Sequence, residues 1–324
     1  MGNREFVCQF LISHFAFCIF LPPHVGCGVS VPTTDQFCDP PMHVAIVSAA
    51  PADMLVDKPG WMADGFRQAG HDVRRCHTAR EVAAADAECE LLVFDQHGAG
   101  CNVGSLAELA AGRKAIWVQW WRDLFSFERK MPLAKQDHIR TFGRFLRAID
   151  RLFVKERSQL PVYAELGIKA EYLDQACPAD MPACKHVERP EWEVLVVGSA
   201  SGAYRQRYLD ARALAAAGRR VLWVGNGGDG LPPGVAWHPW VHPIDELPAL
   251  ASRAAVVLGV DYATDVPGYT SDRSWLAGGM GACYLARIDA AVYRKEMSLA
   301  ELTRAAPAVV TASWPYLSST PRSW

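Results

Sequence analysis

The sequence lacks the short motifs that would settle its chemistry at once. No GxxxxGK[ST] occurs, which excludes a P-loop kinase or ATPase, and no GxSxG occurs, which excludes a hydrolase-type nucleophile elbow. Neither half carries a dinucleotide-binding glycine turn after its first strand, where such an enzyme needs it. The first strand-like run leads into SAAPADM (48–54), which has no glycine, and GSASGAYRQR (198–207) offers only G-x-x-x-G. No CxxC pair exists among the ten cysteines. The nearest metal-like group, Cys177, Cys184 and His186, matches no common zinc spacing. Net charge is small, at −2, so no global field favours nucleic acid or an anionic membrane surface. A long apolar run is also absent. Residues 6–21, FVCQFLISHFAFCIFL, are broken by Gln9, Ser13 and His14 and fall short of the roughly 20 residues that span a bilayer.

What is present is ordinary soluble-protein composition. Half of the 324 residues are hydrophobic and 21% are charged, and the length fits two domains. The first 41 residues differ from the rest. Arg4 is cancelled by Glu5, and Pro22, Pro23 and His24 stand where a secretory signal would carry small residues. Met1-Gly2 hints at myristoylation, but position 6 is Phe rather than Ser or Thr. We expect residues 1–41 to be a hydrophobic extension outside the fold, with a cleaved signal or anchor as the alternative. Membrane association is expected only through residues 6–21. The cysteines then read as reduced thiols of a cytoplasmic protein.

From Met42 the pattern is α/β. Strand-like runs fall at 43–48, 71–76, 90–95, 114–119, 151–154 and 170–173, with helical stretches such as 59–69 and 136–149 between them. This predicts a Rossmann-like domain over 42–176, with a parallel sheet covered on both faces. CPADMPACKHVERPEW (177–192) has three prolines and no apolar period, as a linker would. Alternation restarts with strands at 193–198, 219–225, within 235–241, at 254–260 and near 281–285. Helices are expected at 204–218, at 244–253 with an interruption at Pro248, and briefly after Arg273. A second Rossmann-like domain is therefore predicted over 193–286, and 287–324 reads as a divergent tail.

Ligands of such sheets bind beyond the carboxyl ends of strands. Those positions hold Gly198, Ser199, Ser201, Gly202 and Arg205, then Gly225, Asn226, Gly227 and Gly228, then Asp261, Tyr262 and the run Tyr269, Thr270, Ser271, Asp272, Arg273. In the first domain they hold Asp95, Gln96, His97 and Gly98, and Gln119 to Asp123. The two sets suit facing lobes. Small and cationic loops in the second lobe suit a nucleoside diphosphate held by backbone N–H groups, a helix N-terminus and an arginine.

Three segments carry a resemblance: LFVKERSQLPVYAELGIKAEYLDQACP (152–178), VLVVGSASGAYRQRYLDARAL (194–214) and GYTSDRSWLAGGMGACYL (268–285). Over residues 42–286 the chain resembles group 1 GT-B glycosyltransferases, in particular their spore-maturation-protein-like branch. That resemblance implies sugar transfer from a nucleotide-diphosphate donor, bound by the second lobe, to an acceptor of unknown class bound by the first. It implies diphosphate contacts from Arg273 and Arg205, and a helix cap and donor contacts from Ser271, flanked by Tyr269, Thr270 and Asp272. Gly198 and Gly225 would allow close backbone approach, Ser199, Gly278 and Gly279 would belong to the donor site, and Asn226 would meet base or ribose. Asp123 or His97 would orient or deprotonate the acceptor, and Trp120 and Trp121 would stack on sugar. No DxD motif occurs, so no metal cofactor is expected.

Plainer roles stand beside these. Arg273 can pair with Asp272, Arg205 can be a solvated helix residue, one of Trp120 and Trp121 can be core, His97 can be a loop histidine, and Asp95 can cap a helix. The sequence also departs from the family. Ser274, Trp275 and Leu276 stand where group 1 enzymes often carry a ribose-binding glutamate, and the pattern stops near Ala286. A truncated or frame-shifted C-terminus would account for that ending. The alternative reading is then a catalytically inactive nucleotide- or glycan-binding protein on the same fold. A two-lobed receptor of the periplasmic type is a third, with the flawed secretory signal against it.

Overall fold

The computed structural model describes residues 40–48, 58–95, 103–121, 142–173, 177–178, 181–200, 205–260 and 271–287. The positions of His97, Asp123, Tyr269, Thr270, the first 39 residues and the tail from residue 288 lie outside the described residues. The chain divides into two compact units, Met1–Ala179 and Asp180–Trp324.

The first unit is built on six parallel strands: β1 (His43–Val47), β2 (Asp72–Cys76), β3 (Leu91–Asp95), β4 (Ile116–Trp121), β5 (Arg151–Val154) and β6 (Ala170–Tyr172). Their order in the sheet is β2-β1-β3-β4-β5-β6. The strands are continuous apolar runs because both faces are covered. Alternate residues serve opposite faces. Ala45, Val47, Leu92, Phe94 and Trp117 enter one core with Phe145 and Tyr163. Val44, Ile46, Leu91, Val93 and Val118 enter the other with Met62 and Phe66. Trp120 belongs to this second core, and its indole N–H donates to the Leu173 carbonyl at 3.4 Å. It packs the sheet and is not a sugar platform. Trp117 ties the layers together, its Nε1 donating to Asp86 at 2.6 Å and its backbone N–H to Asp150 at 2.9 Å.

Local chemistry sets the helix ends. Helix Ala79–Glu88 starts with a capping box, in which Thr78 accepts from the Glu81 N–H while the Glu81 carboxylate accepts from the N–H groups of Thr78 and His77. Those bonds, His77 first, hold the Glu81 carboxyl below the usual range. A depressed carboxyl gives stability that is complete above its unfolded value of about 4.3 and is lost as pH falls through its lower folded value. Glu81→Gln should therefore be less stable than the parent at pH 7, with the gap closing as pH falls below about 4. Urea denaturation across pH checks this; a gap that does not change with pH refutes it.

The second unit has five parallel strands: β7 (Trp192–Val197), β8 (Val221–Val224), β9 (Val235–His238), β10 (Ala254–Val260) and β11 (Tyr284–Arg287), in the order β11-β10-β7-β8-β9. Both units are Rossmann-like, so the chain is a tandem α/β protein. Helix Arg205–Ala216 stops at Gly218, whose φ is +76°. The sequence predicts a helix over 244–253 interrupted by Pro248. Instead Pro248 opens the helix Leu247–Ser252 from the first turn, where a missing N–H costs nothing. From Met181 the segment read as a linker is bonded to this unit. The Cys184 N–H donates to Met280 O at 2.7 Å, the Lys185 N–H to Ser252 Oγ at 2.8 Å, and Arg253 pairs with Glu191. Among the described residues no helix is long and apolar enough to cross a membrane.

Candidate functional site

The second sheet reverses direction between β7 and β10. The chain lays β8 and β9 on one side of β7, then crosses to place β10 on the other. In open α/β sheets the crevice at such a switch point, beyond the carboxyl ends of the strands, is where ligands bind.

Two arginines meet there. Arg207, in the first turn of helix Arg205–Ala216, is fully buried. Its Nε and Nη2 donate to the Val260 carbonyl at 3.3 and 2.9 Å, and its Nη1 donates to the Ser199 carbonyl at 3.0 Å. Val260 ends β10 and Ser199 follows β7, so one guanidinium fastens the strand ends on both sides of the switch. Arg273 lies in the first turn of helix Asp272–Gly279 and is half-buried. Its Nε donates to the carbonyl of Val197, the last residue of β7, at 2.8 Å. Gly198 lies against both. A Cβ there would sit 2.1 Å from Arg207 Nη1 and 3.3 Å from Arg273 Nη2. Two permanent positive charges thus converge on one glycine at the sheet's carboxyl edge.

The glycines of the edge are fixed by packing. Gly198 and Gly225 both have φ of +138°, a region that favours glycine. A Cβ on Gly225 would lie 2.2 Å from the Gly198 carbonyl oxygen. Each of the two carbonyls accepts an indole N–H from the next strand outward. Trp223 Nε1 donates to Gly198 O at 3.0 Å, and Trp237 Nε1 to Gly225 O at 2.8 Å. The close approach that the sequence assigned to a ligand is, at Gly225, an approach to Gly198.

Of the residues predicted from sequence, Gly198, Ser199, Gly225, Asn226, Ser271, Asp272 and Arg273 all belong to the strand ends or the helix start at this edge. Asn226 is exposed. Ser271 is the N-cap residue of helix Asp272–Gly279, but its side chain makes no capping bond. Its buried main chain does the work, with the carbonyl accepting from Ser274 N at 3.1 Å and from Ser274 Oγ at 2.7 Å. Asp272 puts a carboxylate in the first turn, at the positive end of the helix dipole. Gly278 and Gly279 stand apart. They form the last turn of the same helix, roughly 10 Å along its axis from Ser271.

Arg205 is exposed at the start of its helix, and the buried cation is Arg207 two residues on. Arg207 escaped the sequence reading, although it shares a helical face with buried Ala211, four residues later. In the first unit a second group, also missed from sequence, follows β5. Lys155 and Glu156 are both buried, with Nζ 3.2 Å from Oε1. Burial, then the Glu156 charge, pushes the Tyr163 phenol up. Among the described residues no three His, Cys, Asp or Glu side chains are grouped to hold a metal. Cys184 and His186 contact the carbonyls of Pro248 and Gly281.

No family model and no curated protein matches the sequence. Among solved structures, the chain resembles a glycosylation-associated protein (Gap123) complex from Streptococcus agalactiae, at TM-score 0.36 and 10% identity over 61% of this chain and 42% of that one. It thus spans less than half of that chain. It also resembles CalG4, the calicheamicin glycosyltransferase, at TM-score 0.35 and 14% identity over 77% of this chain and 80% of that one. A further likeness is to the NAD-complexed D-isomer specific 2-hydroxyacid dehydrogenase from Lactobacillus delbrueckii ssp. bulgaricus, at TM-score 0.23 and 10% identity over 82% and 76% of the two chains.

Proposed function

We propose that this chain is a GT-B glycosyltransferase whose second unit binds a nucleotide-diphosphate sugar. The observation that carries the reading is the convergence of Arg207 and Arg273 on Gly198 at the switch point of the second sheet. Sugar transfer breaks the bond between the anomeric carbon and the diphosphate oxygen and forms one to an acceptor oxygen. The acceptor proton passes to a base, for which Asp123 and His97 are the candidates from sequence, and the leaving diphosphate takes up negative charge. Fixed cations beside that diphosphate lower the barrier because they need no reorganisation as charge develops. In this reading Arg273 contacts the phosphates. Arg207, enclosed by the two strand ends, acts through its charge and through the loops it holds.

Calorimetric titration with a panel of nucleoside diphosphates tests the reading. One of them should bind, and Arg273→Ala should weaken that binding about 10- to 100-fold, the worth of a charge-assisted contact. Arg273→Lys should fall between, since it keeps the charge without the planar fork. Absence of binding across the panel would sink the proposal. Binding without turnover of any nucleotide sugar would favour the inactive-binder reading, which the residues Ser274, Trp275 and Leu276 in place of the family glutamate keep in view.

A further inference from the structure

We infer that Trp237 is the stacking platform for the nucleobase of the bound nucleotide, an inference that rests on the donor-binding reading of the second unit. Trp237 is 50% exposed, although large aromatic side chains are normally covered. Its exposure goes with a fixed position. The indole N–H donates to Gly225 O at 2.8 Å, and the backbone of Gly228 lies against the ring. A Cβ on Gly228 would stand 2.8 Å from Cδ2 and 2.9 Å from Cε2 of the indole. The glycine at 228 therefore lets the loop close onto the ring. A half-exposed aromatic ring held by both a hydrogen bond and a packed loop loses little freedom when a second planar group covers it.

Its place in the sheet selects the ligand part. Trp237 pairs in register with Trp223 on β8, and Trp223 pairs with Val196 on β7. All three thus lie on one face of the sheet. The fully buried Trp223 fills the core and Trp237 continues the row outward. The two arginines converge at the end of β7, and Trp237 is on β9. Two interstrand spacings, about 10 Å, separate them. A nucleoside diphosphate needs that kind of separation, with ribose and a phosphate between the charged end and the base. Asn226 is exposed on the loop between them. Stacking on indole is tolerant of base identity because every base has a π-face. The platform therefore supplies affinity, and the choice among bases falls to other residues.

The test compares a ligand that has a base with one that has none. Wild-type protein is titrated with UDP, GDP, ADP and inorganic pyrophosphate. Trp237→Ala should weaken the bound nucleoside diphosphate about 5- to 150-fold and leave pyrophosphate unchanged within about twofold. Trp237→Phe should keep most of the nucleotide affinity. It should also remove part of the tryptophan fluorescence quenching that nucleotide, but not pyrophosphate, produces in the wild type. Unchanged nucleotide affinity in Trp237→Ala overturns the inference and leaves the donor-binding proposal standing. Equal losses for nucleotide and pyrophosphate also overturn it, because they mean general disturbance of the edge. If Trp237→Ala does not fold, the quenching difference between wild type and Trp237→Phe decides alone, and its absence refutes the platform. Failure of the wild type to bind either class of ligand removes both readings together.

Discussion

Gly225→Ala should cost the second unit roughly 3–5 kcal/mol, among the largest effects open to a single methyl group. Two terms add. The residue's φ of +138° strains any side chain, at about 1–3 kcal/mol. The new methyl would also lie 2.2 Å from the Gly198 carbonyl oxygen and 2.9 Å from its carbon. Those are backbone atoms at the end of a central strand, so no rotamer change relieves the contact. Movement of Gly198 would in turn disturb its bonds, with its N–H donating to Val224 O and its carbonyl accepting from Trp223. Gly230→Ala is the matched control. No atom lies within 4 Å of its would-be Cβ, and its φ is not in the positive range. That substitution should change stability by less than about 1 kcal/mol. Hydrogen-exchange mass spectrometry localises the damage: peptides from β7–β9 should lose protection while those from β1–β4 keep theirs. Equal stability of the two variants would show that the edge does not pack as described.

The strands were readable because they are buried on both faces. HVAIV, ELLVFD, VLVV and AAVVLGV are runs that little but an inner parallel strand accommodates, and most observed ends fall within two residues of the expected ones. The switch-point loops were readable for a related reason, since carboxyl ends follow from strands. The roles inside those loops were less so. Arg207 looked like one more charged residue in YRQRYLD, because the periodicity of a helix shows which face is buried but not that two strand-end carbonyls wait there for a donor. Pro248 looks like a break in the sequence, which shows the ring and not the residue at which the helix begins. Trp120 and Trp237 are both strand tryptophans. Only the sheet order, with β4 inside its sheet and β9 at an edge, separates the core residue from the exposed one.

The sharpest contrast between the two levels is the pair Arg205 and Arg207. Arg205→Met should be within about 0.5 kcal/mol of wild type, as expected for an exposed residue at a helix start. Arg207→Met should cost about 2–4 kcal/mol. Methionine replaces the apolar stem only as far as Nε, so the buried guanidinium's space is left empty and adds to the cost. Also lost is the donation to Val260 and Ser199, which leaves two carbonyls at the strand ends without those partners. Each carbonyl buried without a donor costs about 1–3 kcal/mol, and relief of the buried charge's desolvation returns part of that. Arg207→Lys should lie between, because an ammonium keeps the charge but lacks the planar fork that serves both carbonyls. Binding separates position from mere stability. If the clamp sets the geometry of the phosphate site, Arg207→Lys should weaken pyrophosphate and nucleoside diphosphate by the same factor, even well below the unfolding temperature. If the two arginines proved interchangeable in the stability measurement, the assignment of the buried cation to position 207 would be wrong, and with it the two-arginine convergence from which the donor site is inferred.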